Sequence, residues 1–331
     1  MARIFLTHPA EARRLYYGER ALAGLQALGE VALNTSGREL RLPELIDAAR
    51  GCEVIVSYRQ TPGEATLFEA LPELIAFCRC AIDIRNVDVD AASRQGILVT
   101  QASAGFIASV AEWVVGAMID LGRQISAATE AYHAGRAPPA SMGRELRGAT
   151  LGVIGYGQIS RYLCPIARAL GMRVLVCDPY ARVAEEGIRQ VGLEQLLAES
   201  DHVVCLAVAT EETENLMNAQ AFARMKPTAF FINPSRGNLV DEAALLHALD
   251  NGLIAGCALD VGRAPDQMPS AALSRHPKVI ATPHVGGLTP EAIEHQSLET
   301  VAQVAEILQG RAPKGAVNTA SAPRLARLRP A

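Results

Sequence analysis

Two side chains in the second half of the sequence have the chemistry to hold an anion and to move a proton. Arg236, in FFINPSRGNLVDEAAL, offers a planar, permanently charged guanidinium that can hold carboxylate and carbonyl oxygens together. His284, in VIATPHVGGLTP, carries an imidazole, which titrates near neutral pH. Each follows a strand-like run, so both can lie at one edge of a parallel sheet. Structural alternatives remain, because Arg236 could pair with Asp241 or Glu242 and His284 could shape a turn.

A glycine-rich turn earlier in the chain, LGVIGYGQIS, is typical of nucleotide binding. Gly155 permits a tight turn from strand to helix, and Gly157 lets the backbone approach a pyrophosphate at the helix N-terminus. Ser160 replaces the third glycine of the fingerprint, so we expect slightly looser packing there. Asp178 lies about 20 residues further on, where a carboxylate accepts hydrogen bonds from ribose hydroxyls and repels a 2′-phosphate. The pattern predicts NAD rather than NADP; a methyltransferase that binds S-adenosylmethionine is the rival with a similar turn.

The elements that must position these residues alternate between strand-like and helical segments. In the first third, strands are predicted at Arg3–Thr7, Val54–Ser57, Leu74–Cys80 and Ile97–Thr100, and helices at Arg20–Leu28, Pro43–Arg50 and Gly63–Ala70. Six more strands are predicted at Thr150–Ile154, Arg173–Cys177, His202–Val208, Ala229–Asn233, Ile254–Asp260 and Val279–Thr282. Such alternation predicts parallel sheets wrapped by helices, and six parallel strands with crossovers match a doubly wound nucleotide-binding sheet.

Three further segments indicate how the chain is divided. Ala131–Gly148 is polar and rich in proline and glycine, which predicts a surface loop. The helix predicted at Ser109–Arg123 is mostly apolar around its circumference, so we expect it to be buried between domains or subunits. A last helix, Pro290–Gln309, follows the final strand. We therefore predict a substrate domain over 1–105, an NAD-binding domain over 106–288, and a return helix and tail over 289–331 that complete the first domain.

Composition excludes several classes of protein. The 331 residues are enough for two domains, and half of them are hydrophobic. A net charge of -4 gives no basic surface for nucleic acid or an anionic membrane. The apolar N-terminal stretch is too short for a signal peptide, and no apolar run is long enough to cross a bilayer. The seven cysteines are scattered, which favours core thiols in a reducing compartment, and Cys78 and Cys80 lack the second pair that a metal site needs. We expect a cytoplasmic protein without a structural metal.

The ordered set of motifs resembles the D-isomer-specific 2-hydroxyacid dehydrogenase family. The likeness includes RCAIDIRNVDVDAASRQGILVT, SVAEWVVGAMIDLGR and IAGCALDVGRAPDQMP as well as the three motifs above, and it spans about residues 75 to 310. It implies an α/β fold of two doubly wound parallel-sheet domains, with the NAD-binding Rossmann domain inserted into a flavodoxin-like substrate domain. It also implies an NAD-dependent oxidoreductase that interconverts a small 2-keto acid and its (R)-2-hydroxy acid.

The resemblance assigns roles to individual residues. Arg236 would anchor the substrate carboxylate and carbonyl, and His284 would be the general acid/base. Substrate contacts are assigned to Cys80, Ala81 and Ile82, with Arg59 as a second cation unless it is simply a surface arginine. Cofactor contacts are assigned to Gly155, Gly157, Gln158, Ile159, Asp178, Ser235 and Asp260. The histidines left without a role are His8, His133, His202, His247, His276 and His295.

The sequence departs from the family pattern near the predicted general acid/base. The glutamate that usually hydrogen-bonds the catalytic histidine falls at Pro265. Either Asp266 takes its place, or the histidine works without a carboxylate; Gln267 is a third option, because members that oxidise formate use glutamine here. The usual aromatic residue after Asp-Val is replaced by Gly262. Without an acidic partner for His284, keto-acid reduction should weaken as pH rises.

A different class of function is compatible with the same motifs. The family's transcriptional corepressors resemble enzymes at these positions, so the chain could be an NAD(H)-sensing binding module without physiological turnover. From the resemblance we also expect a homodimer formed through the Ser109–Arg123 helix. No motif identifies the substrate acid, because side-chain specificity rests on a few pocket contacts.

Overall fold

The computed structural model describes residues 2–328, apart from the side chain of Asp266. The chain divides into two compact units, Met1–Gly105 with Pro290–Ala331 and Phe106–Thr289. The two crossings between the units therefore lie at residues 105/106 and 289/290.

The first unit is built on a five-stranded parallel sheet. Its strands up to residue 105 are β1 (Arg3–Leu6), β2 (Glu30–Leu33), β3 (Val54–Ser57), β4 (Ala76–Arg79) and β5 (Leu98–Gln101). Its helices in the same stretch are α1 (Ala10–Tyr16), α2 (Glu19–Leu28), α3 (Leu42–Ala48), α4 (Ala65–Ala70) and α5 (Val89–Arg94). The strand order is β2-β1-β3-β4-β5, which is the flavodoxin-like order. All residues of β3 and β4 are buried, as expected for parallel strands covered on both faces.

The second unit carries a seven-stranded parallel sheet. Its strands are β6 (Thr150–Ile154), β7 (Arg173–Cys177), β8 (Ile188–Gln190), β9 (His202–Cys205), β10 (Phe230–Asn233), β11 (Gly256–Leu259) and β12 (Val279–Ala281). Its helices are α6 (Ile107–Arg123), α7 (Ile125–His133), α8 (Gln158–Ala169), α9 (Leu193–Glu199), α10 (Ala219–Arg224), α11 (Glu242–Asp250) and α12 (Ala271–Ser274). The order β12-β11-β10-β9-β6-β7-β8 is the doubly wound order of a dinucleotide-binding sheet with one strand added. After it the chain returns to the first unit as α13 (Pro290–Ile307).

The predicted fold class, two doubly wound α/β domains, is confirmed. The strand count of the second sheet was too low by one, because β8 is a three-residue edge strand without an apolar run. In the first sheet the prediction also missed β2, whose residues Glu30–Leu33 are only partly buried. Central strands start and end within three residues of their predicted bounds, since continuous burial gives them a clear apolar signal.

Helix α6 is buried on one side within the second unit. Its apolar side chains Val114, Met118 and Leu121 pack on the sheet, while Glu112 and Gly116 are exposed. The predicted loop at Ala131–Gly148 is correct except at its start, because α7 continues to His133.

The described residues contain no helix long and apolar enough to cross a membrane. Over the same residues, no group of three or more acidic, histidine or cysteine side chains is placed to hold a metal ion. All seven cysteines are unpaired thiols.

Candidate active site

The turn after β6 requires glycine at Gly155. Its φ of 91° lies in the left-handed region, and a Cβ there would come within 2.7 Å of the carbonyl oxygen of Leu206. Both the backbone conformation and the space exclude a side chain. The strand-to-helix turn predicted from the sequence is therefore present in the second unit.

The N-terminus of α8 is open to a ligand. Gly157 precedes the helix, and a Cβ built on it would meet nothing within 4 Å. Gln158 and Ile159 form the start of the helix, so their N–H groups have no carbonyl partner within it. Such a helix end attracts phosphate oxygens. These residues fit the pyrophosphate of a dinucleotide.

Ser160 ties the helix back to the turn instead of loosening it. Its hydroxyl donates a 2.6 Å hydrogen bond to the carbonyl of Gly155, and the residue is 1% exposed. The serine thus replaces the packing of the missing third glycine with a hydrogen bond.

The carboxylate of Asp178 is fixed by backbone N–H groups. It accepts from Tyr156 at 2.6 Å, from Tyr180 at 2.8 Å and from Ala181 at 2.9 Å. Burial raises the pKa of Asp178, but these hydrogen bonds outweigh burial and the net pKa lies below its usual value. A carboxylate that is charged at neutral pH thus follows β7, beside the glycine turn. This charge is unfavourable for a 2′-phosphate.

Asp260 organises the loop that carries His284. The aspartate follows β11 and is 1% exposed. Its carboxylate accepts hydrogen bonds from the hydroxyl of Thr282 at 2.6 Å and from the N–H groups of Val285 at 2.8 Å and Gly286 at 2.7 Å. Its carbonyl accepts from the N–H of His284 at 2.9 Å. Both carboxylate oxygens serve this loop, so the structure gives Asp260 a positioning role that the sequence did not indicate.

The loop after β12 has little room for side chains around His284. His284 itself has φ 57°, an uncommon left-handed conformation for a residue with a Cβ. A Cβ on Gly286 would lie 2.8 Å from the carboxylate of Asp260, and one on Gly287 would lie 3.0 Å from Phe106. The Gly-Gly pair is thus explained by close packing against Asp260 and α6.

Arg236 lies in a tight turn after β10. The side-chain amide of Asn233 donates to the carbonyl of Arg236 at 2.9 Å, and its oxygen accepts from the N–H of Ser235 at 3.1 Å. The guanidinium donates to the carbonyl of Ser235 at 2.7 Å. Asp241, one of the alternative partners, caps helix α11 through the N–H groups of two following residues. The predicted cofactor contact Ser235 therefore lies in the same turn as Arg236.

Glycine at position 262 has a steric cause. A Cβ on Gly237 would lie 2.1 Å from the carbonyl carbon of Gly262, and one on Gly262 would lie 2.6 Å from Pro269. The N–H of Gly262 donates to the carbonyl of Gln267 at 2.8 Å, so the following loop folds back on itself. No aromatic side chain fits there.

The side chain of Arg263 stabilises the loop that follows Gly262. Its guanidinium donates to Glu214 at 2.7 Å, to Asn215 at 2.7 Å and to the carbonyl of Val240 at 3.2 Å. Asp266 belongs to a short 3-10 turn, Pro265–Gln267, and its side chain lies outside the described residues.

The predicted substrate contacts lie in the first unit, at the carboxyl end of β4. The N–H of Cys80 donates to the carbonyl of Ser57 at 3.1 Å, and the carbonyl of Ala81 accepts from Ala102 at 3.1 Å. Ile82 is 39% exposed. The guanidinium carbon of Arg59 lies 5.2 Å from the ring centre of Tyr16. A further group of polar side chains, including His8 and Arg79, is buried beside these residues and was not predicted from the sequence. The position of His8 two residues after β1 could have indicated that it lies at this edge of the sheet.

The comparisons with known proteins agree with this arrangement. Residues 115–286 match the family model of the D-isomer specific 2-hydroxyacid dehydrogenase, NAD binding domain. The chain belongs to this family. The resemblance drawn from the sequence is confirmed, and the matched residues form the NAD-binding domain.

Similar proteins in this family carry the names of different enzymes. The D-3-phosphoglycerate dehydrogenase of Synechocystis sp. is 33% identical over 299 residues, covering 89% of this chain and 54% of its own length. This chain thus spans about half the length of the curated relatives it matches. The TT0316 protein of Thermus thermophilus has 26% identity and a TM-score of 0.86 over 95% of this chain and 99% of its own. The D-lactate dehydrogenase of Escherichia coli has 27% identity and a TM-score of 0.81 over 96% of this chain and 100% of its own.

Proposed function

We propose that the protein is an NAD-dependent oxidoreductase that interconverts a small 2-keto acid and its (R)-2-hydroxy acid. The observation that carries the proposal is the shared sheet edge of the second unit. There the glycine turn, Asp178, Arg236 and the His284 loop all follow carboxyl ends of parallel strands, where doubly wound sheets bind their ligands.

The cofactor is held by the turn and helix end described above. NADH supplies, when bound, the hydride that reduces the carbonyl carbon of the keto acid. The N–H groups at the start of α8 bind the pyrophosphate, and Gly157 leaves space for that approach. Asp178 accepts hydrogen bonds from the ribose hydroxyls and disfavours NADP.

Arg236 holds and polarises the substrate. Its guanidinium binds the carboxylate and the keto oxygen, and it stabilises the negative charge that develops on that oxygen. The turn through Asn233 and Ser235 fixes its backbone beforehand, so little ordering is needed on binding.

His284 moves the proton. In reduction its imidazolium donates a proton to the keto oxygen, and in oxidation the neutral ring takes a proton from the hydroxyl. Asp266 is proposed as the carboxylate partner that supports the protonated ring in place of the usual glutamate. A pH–rate profile of Asp266→Asn tests this assignment: the limb that reports the imidazolium shifts to lower pH, whereas an unchanged profile means that another residue has the role.

In the first unit, the backbone N–H groups of Ala81 and Ile82 are proposed to bind the substrate carboxylate, with Arg59 adding positive charge. The N–H of Cys80 donates to the carbonyl of Ser57, so Cys80 is proposed to position this loop rather than to bind the carboxylate through its N–H. Support comes from their position at the carboxyl end of the sheet and from the partial exposure of Ile82 and Arg59. From these contacts we expect a preference for acids over the corresponding neutral carbonyl compounds.

The direct test is a substrate panel followed by absorbance at 340 nm. Purified protein is mixed with NADH and glyoxylate, hydroxypyruvate, pyruvate or bulkier 2-keto acids. His284→Gln should lower kcat by about 10²–10⁴-fold, and Arg236→Gln should lower kcat/KM by about 100-fold or more. His247→Gln and Arg275→Gln, which change exposed residues of the same unit, are matched controls. Tight NADH binding without turnover of any acid would instead favour the NAD(H)-sensing module.

We further propose a cytoplasmic homodimer. The dimer is supported by exposed apolar side chains on α6, α7 and the following loop, namely Ile119, Ile125, Tyr132 and Met142. The reducing compartment is supported by the unpaired thiols. Light scattering of Ile125→Asp and Met142→Asp variants tests the dimer: the mass should fall to that of one chain, and a full-length monomer in the parent protein contradicts it.

A further inference from the structure

Three loops follow the carboxyl ends of the neighbouring strands β9, β10 and β11 in the second sheet. The first loop carries Glu214 and Asn215, the second carries Arg236, and the third carries Arg263. Loops at these strand ends hold the ligands of a doubly wound sheet. A contact that fixes the three loops to one another therefore also fixes the groups that meet the substrate.

The guanidinium of Arg263 joins all three loops. In the first loop it donates to the carboxylate of Glu214 at 2.7 Å and to the side-chain oxygen of Asn215 at 2.7 Å. In the second loop it donates to the carbonyls of Asn238 at 3.0 Å and Val240 at 3.2 Å. One cation of the third loop thus supplies hydrogen bonds to both neighbouring loops.

The carbonyls that Arg263 binds lie in and just after the turn that follows Arg236. Arg236 directly precedes the 3-10 turn Gly237–Leu239, and Asn238 is the middle residue of that turn. The side-chain amide of Asn238 also donates to Glu214 at 3.0 Å, and Glu214 is the ion-pair partner of Arg263. The backbone that presents Arg236 is therefore held on its C-terminal side by this ion pair.

The second and third loops meet through their backbones. A Cβ on Gly237 would lie 2.1 Å from the carbonyl carbon of Gly262. The aromatic side chain usual in the family is absent at Gly262, and the usual glutamate is replaced by Pro265. Arg263 is the next residue after Gly262, and its own N–H donates to the side chain of Glu242 at 3.0 Å. Hydrogen bonds from Arg263 thus connect the two loops where side-chain packing is absent.

The ion pair is present at neutral pH, but it adds little to the stability of the fold. Hydrogen bonds from Arg263 and Asn238 hold the pKa of Glu214 below its usual value, so the carboxylate is charged. Exposed ion pairs contribute little to the free energy of unfolding. A displacement of about 1 Å at a substrate-binding group, in contrast, can lower the rate by about 100-fold. Loss of Arg263 should therefore affect substrate binding more than folding.

We propose that Arg263 is a positioning residue for Arg236: together with Glu214 it fixes the turn that presents Arg236 to the carboxylate and keto oxygen of the substrate. This inference rests on the proposed function, because Arg263 acts through a residue to which that function assigns the substrate. In this role Arg263 makes no contact with the substrate, and its loss leaves the affinity for NADH unchanged.

Steady-state kinetics of Arg263→Met tests the role, because methionine keeps most of the aliphatic chain and removes the guanidinium. The kcat/KM for the preferred 2-keto acid should fall by about 10- to 100-fold, mainly through a higher KM, while NADH binding followed by fluorescence stays at the parent value. Glu214→Gln should lower kcat/KM by about 2- to 5-fold, as expected for an exposed ion pair.

The matched control is Arg224→Met. Arg224 lies on α10 of the same unit and forms an exposed ion pair with Glu194 at 2.9 Å. Its substitution should leave kcat, KM and NADH affinity at the parent values. A fall in kcat/KM of the same size in Arg224→Met and Arg263→Met would mean that the loss is unspecific, and the inference would be wrong.

A double-mutant cycle shows whether Arg263 acts through Arg236. In the Arg236→Gln protein, the additional change Arg263→Met should lower kcat/KM by less than about 2-fold, because no guanidinium is left to be positioned. Equal fold losses in the two backgrounds overturn the inference, as does an unchanged kcat/KM in Arg263→Met alone. Either result leaves the proposed function standing.

Hydrogen exchange separates the inference from the proposed function. The N–H of Asp241 donates to the carbonyl of Met217 at 3.0 Å, so a peptide over residues 236–241 reports whether the turn keeps its place. Its exchange should be about 10-fold faster in Arg263→Met than in the parent protein and unchanged in Arg224→Met. That result supports the positioning of the turn even if no acid is turned over, in which case the proposed function alone fails. Unchanged exchange in Arg263→Met overturns the inference.

Discussion

Polar side chains at the carboxyl edges of the two sheets differ in how completely they are hydrogen-bonded. In the second unit, Asp178, Asp260 and Ser160 are paired with backbone or side-chain partners. In the first unit, six buried polar atoms have no hydrogen-bond partner among the described residues; they belong to His8, Arg13, Tyr17, Ser57 and Arg79. Pairing fixes the loop that carries His284, because both carboxylate oxygens of Asp260 accept hydrogen bonds from it.

The largest effect on stability is expected at the carboxyl edge of the second sheet. Asp260→Ala leaves one hydroxyl and two N–H groups without their acceptor and should lower the free energy of unfolding by about 3–5 kcal/mol. Urea unfolding of the holoenzyme measures it. Asp250→Ala, at an exposed position of the same unit, is the control and should stay within about 0.5 kcal/mol of the parent. A small loss in Asp260→Ala would show that the loop does not depend on this carboxylate.

Substitutions of the two glycines of the turn should affect different quantities: protein stability for Gly155 and NADH affinity for Gly157. Gly155→Ala places a side chain in a left-handed conformation against backbone atoms and should cost about 2–4 kcal/mol of unfolding free energy. Gly157→Ala meets open space, so its stability should be close to that of the parent, while its affinity for NADH falls because the methyl group occupies the pyrophosphate approach. Calorimetry and NADH fluorescence measure the two quantities. Equal stabilities of the two variants would contradict a rigid turn.

The buried side chain of His8, in the first unit, should make the stability of the protein sensitive to acid. The pKa of His8 is lowered from 6.5 to about 3, so between these values the unfolded chain binds a proton that the folded chain does not. Stability therefore falls as pH drops below 6.5, by at most about 1.4 kcal/mol per pH unit from this residue, and it gains nothing above 6.5. Urea unfolding at pH 7, 6 and 5 should show a weaker dependence in His8→Gln.

His202 of the second unit provides the comparison for that experiment. Burial lowers its pKa to about 4, but the charge of Asp201 opposes the shift, whereas the charges beside His8 add to it. Both folded-state pKa values lie below pH 5, so His8→Gln and His202→Gln should weaken the pH dependence between pH 7 and 5 by similar amounts. The effect of His8→Gln should be the larger one only when the measurement is extended below about pH 4. A larger effect of His202→Gln would reverse the comparison.

The smallest effects on the free energy of unfolding are expected from variants that remove a single hydroxyl group. Ser160→Ala breaks a hydrogen bond to Gly155 and should cost about 1 kcal/mol. Tyr17→Phe removes an unpaired buried hydroxyl, so the ligand-free protein should be as stable as the parent or more stable by about 1 kcal/mol. Thermal unfolding of both variants checks this difference in sign. A loss in Tyr17→Phe equal to that of Ser160→Ala would mean that the hydroxyl already has a partner.

The α/β repeat, the glycine turn and the order of the motifs could be predicted from the amino-acid sequence alone. These are local features: buried parallel strands are continuous apolar runs, and Gly155 is required by a backbone conformation within a few residues. A strand such as Ile188–Gln190 was missed because its three residues form an exposed edge and carry no such signal.

The hydrogen bonds between residues far apart in the sequence could not be predicted, because they form only in the folded chain. The resemblance assigned Asp260 a cofactor contact, whereas in the structure its carboxylate oxygens accept hydrogen bonds from groups 22 to 26 residues further along the chain. His8 received no role, because its neighbours come from α1, β3 and β4 and meet only when the sheet forms. Burial and pairing are properties of the folded chain, and a single sequence does not specify which strand ends become neighbours.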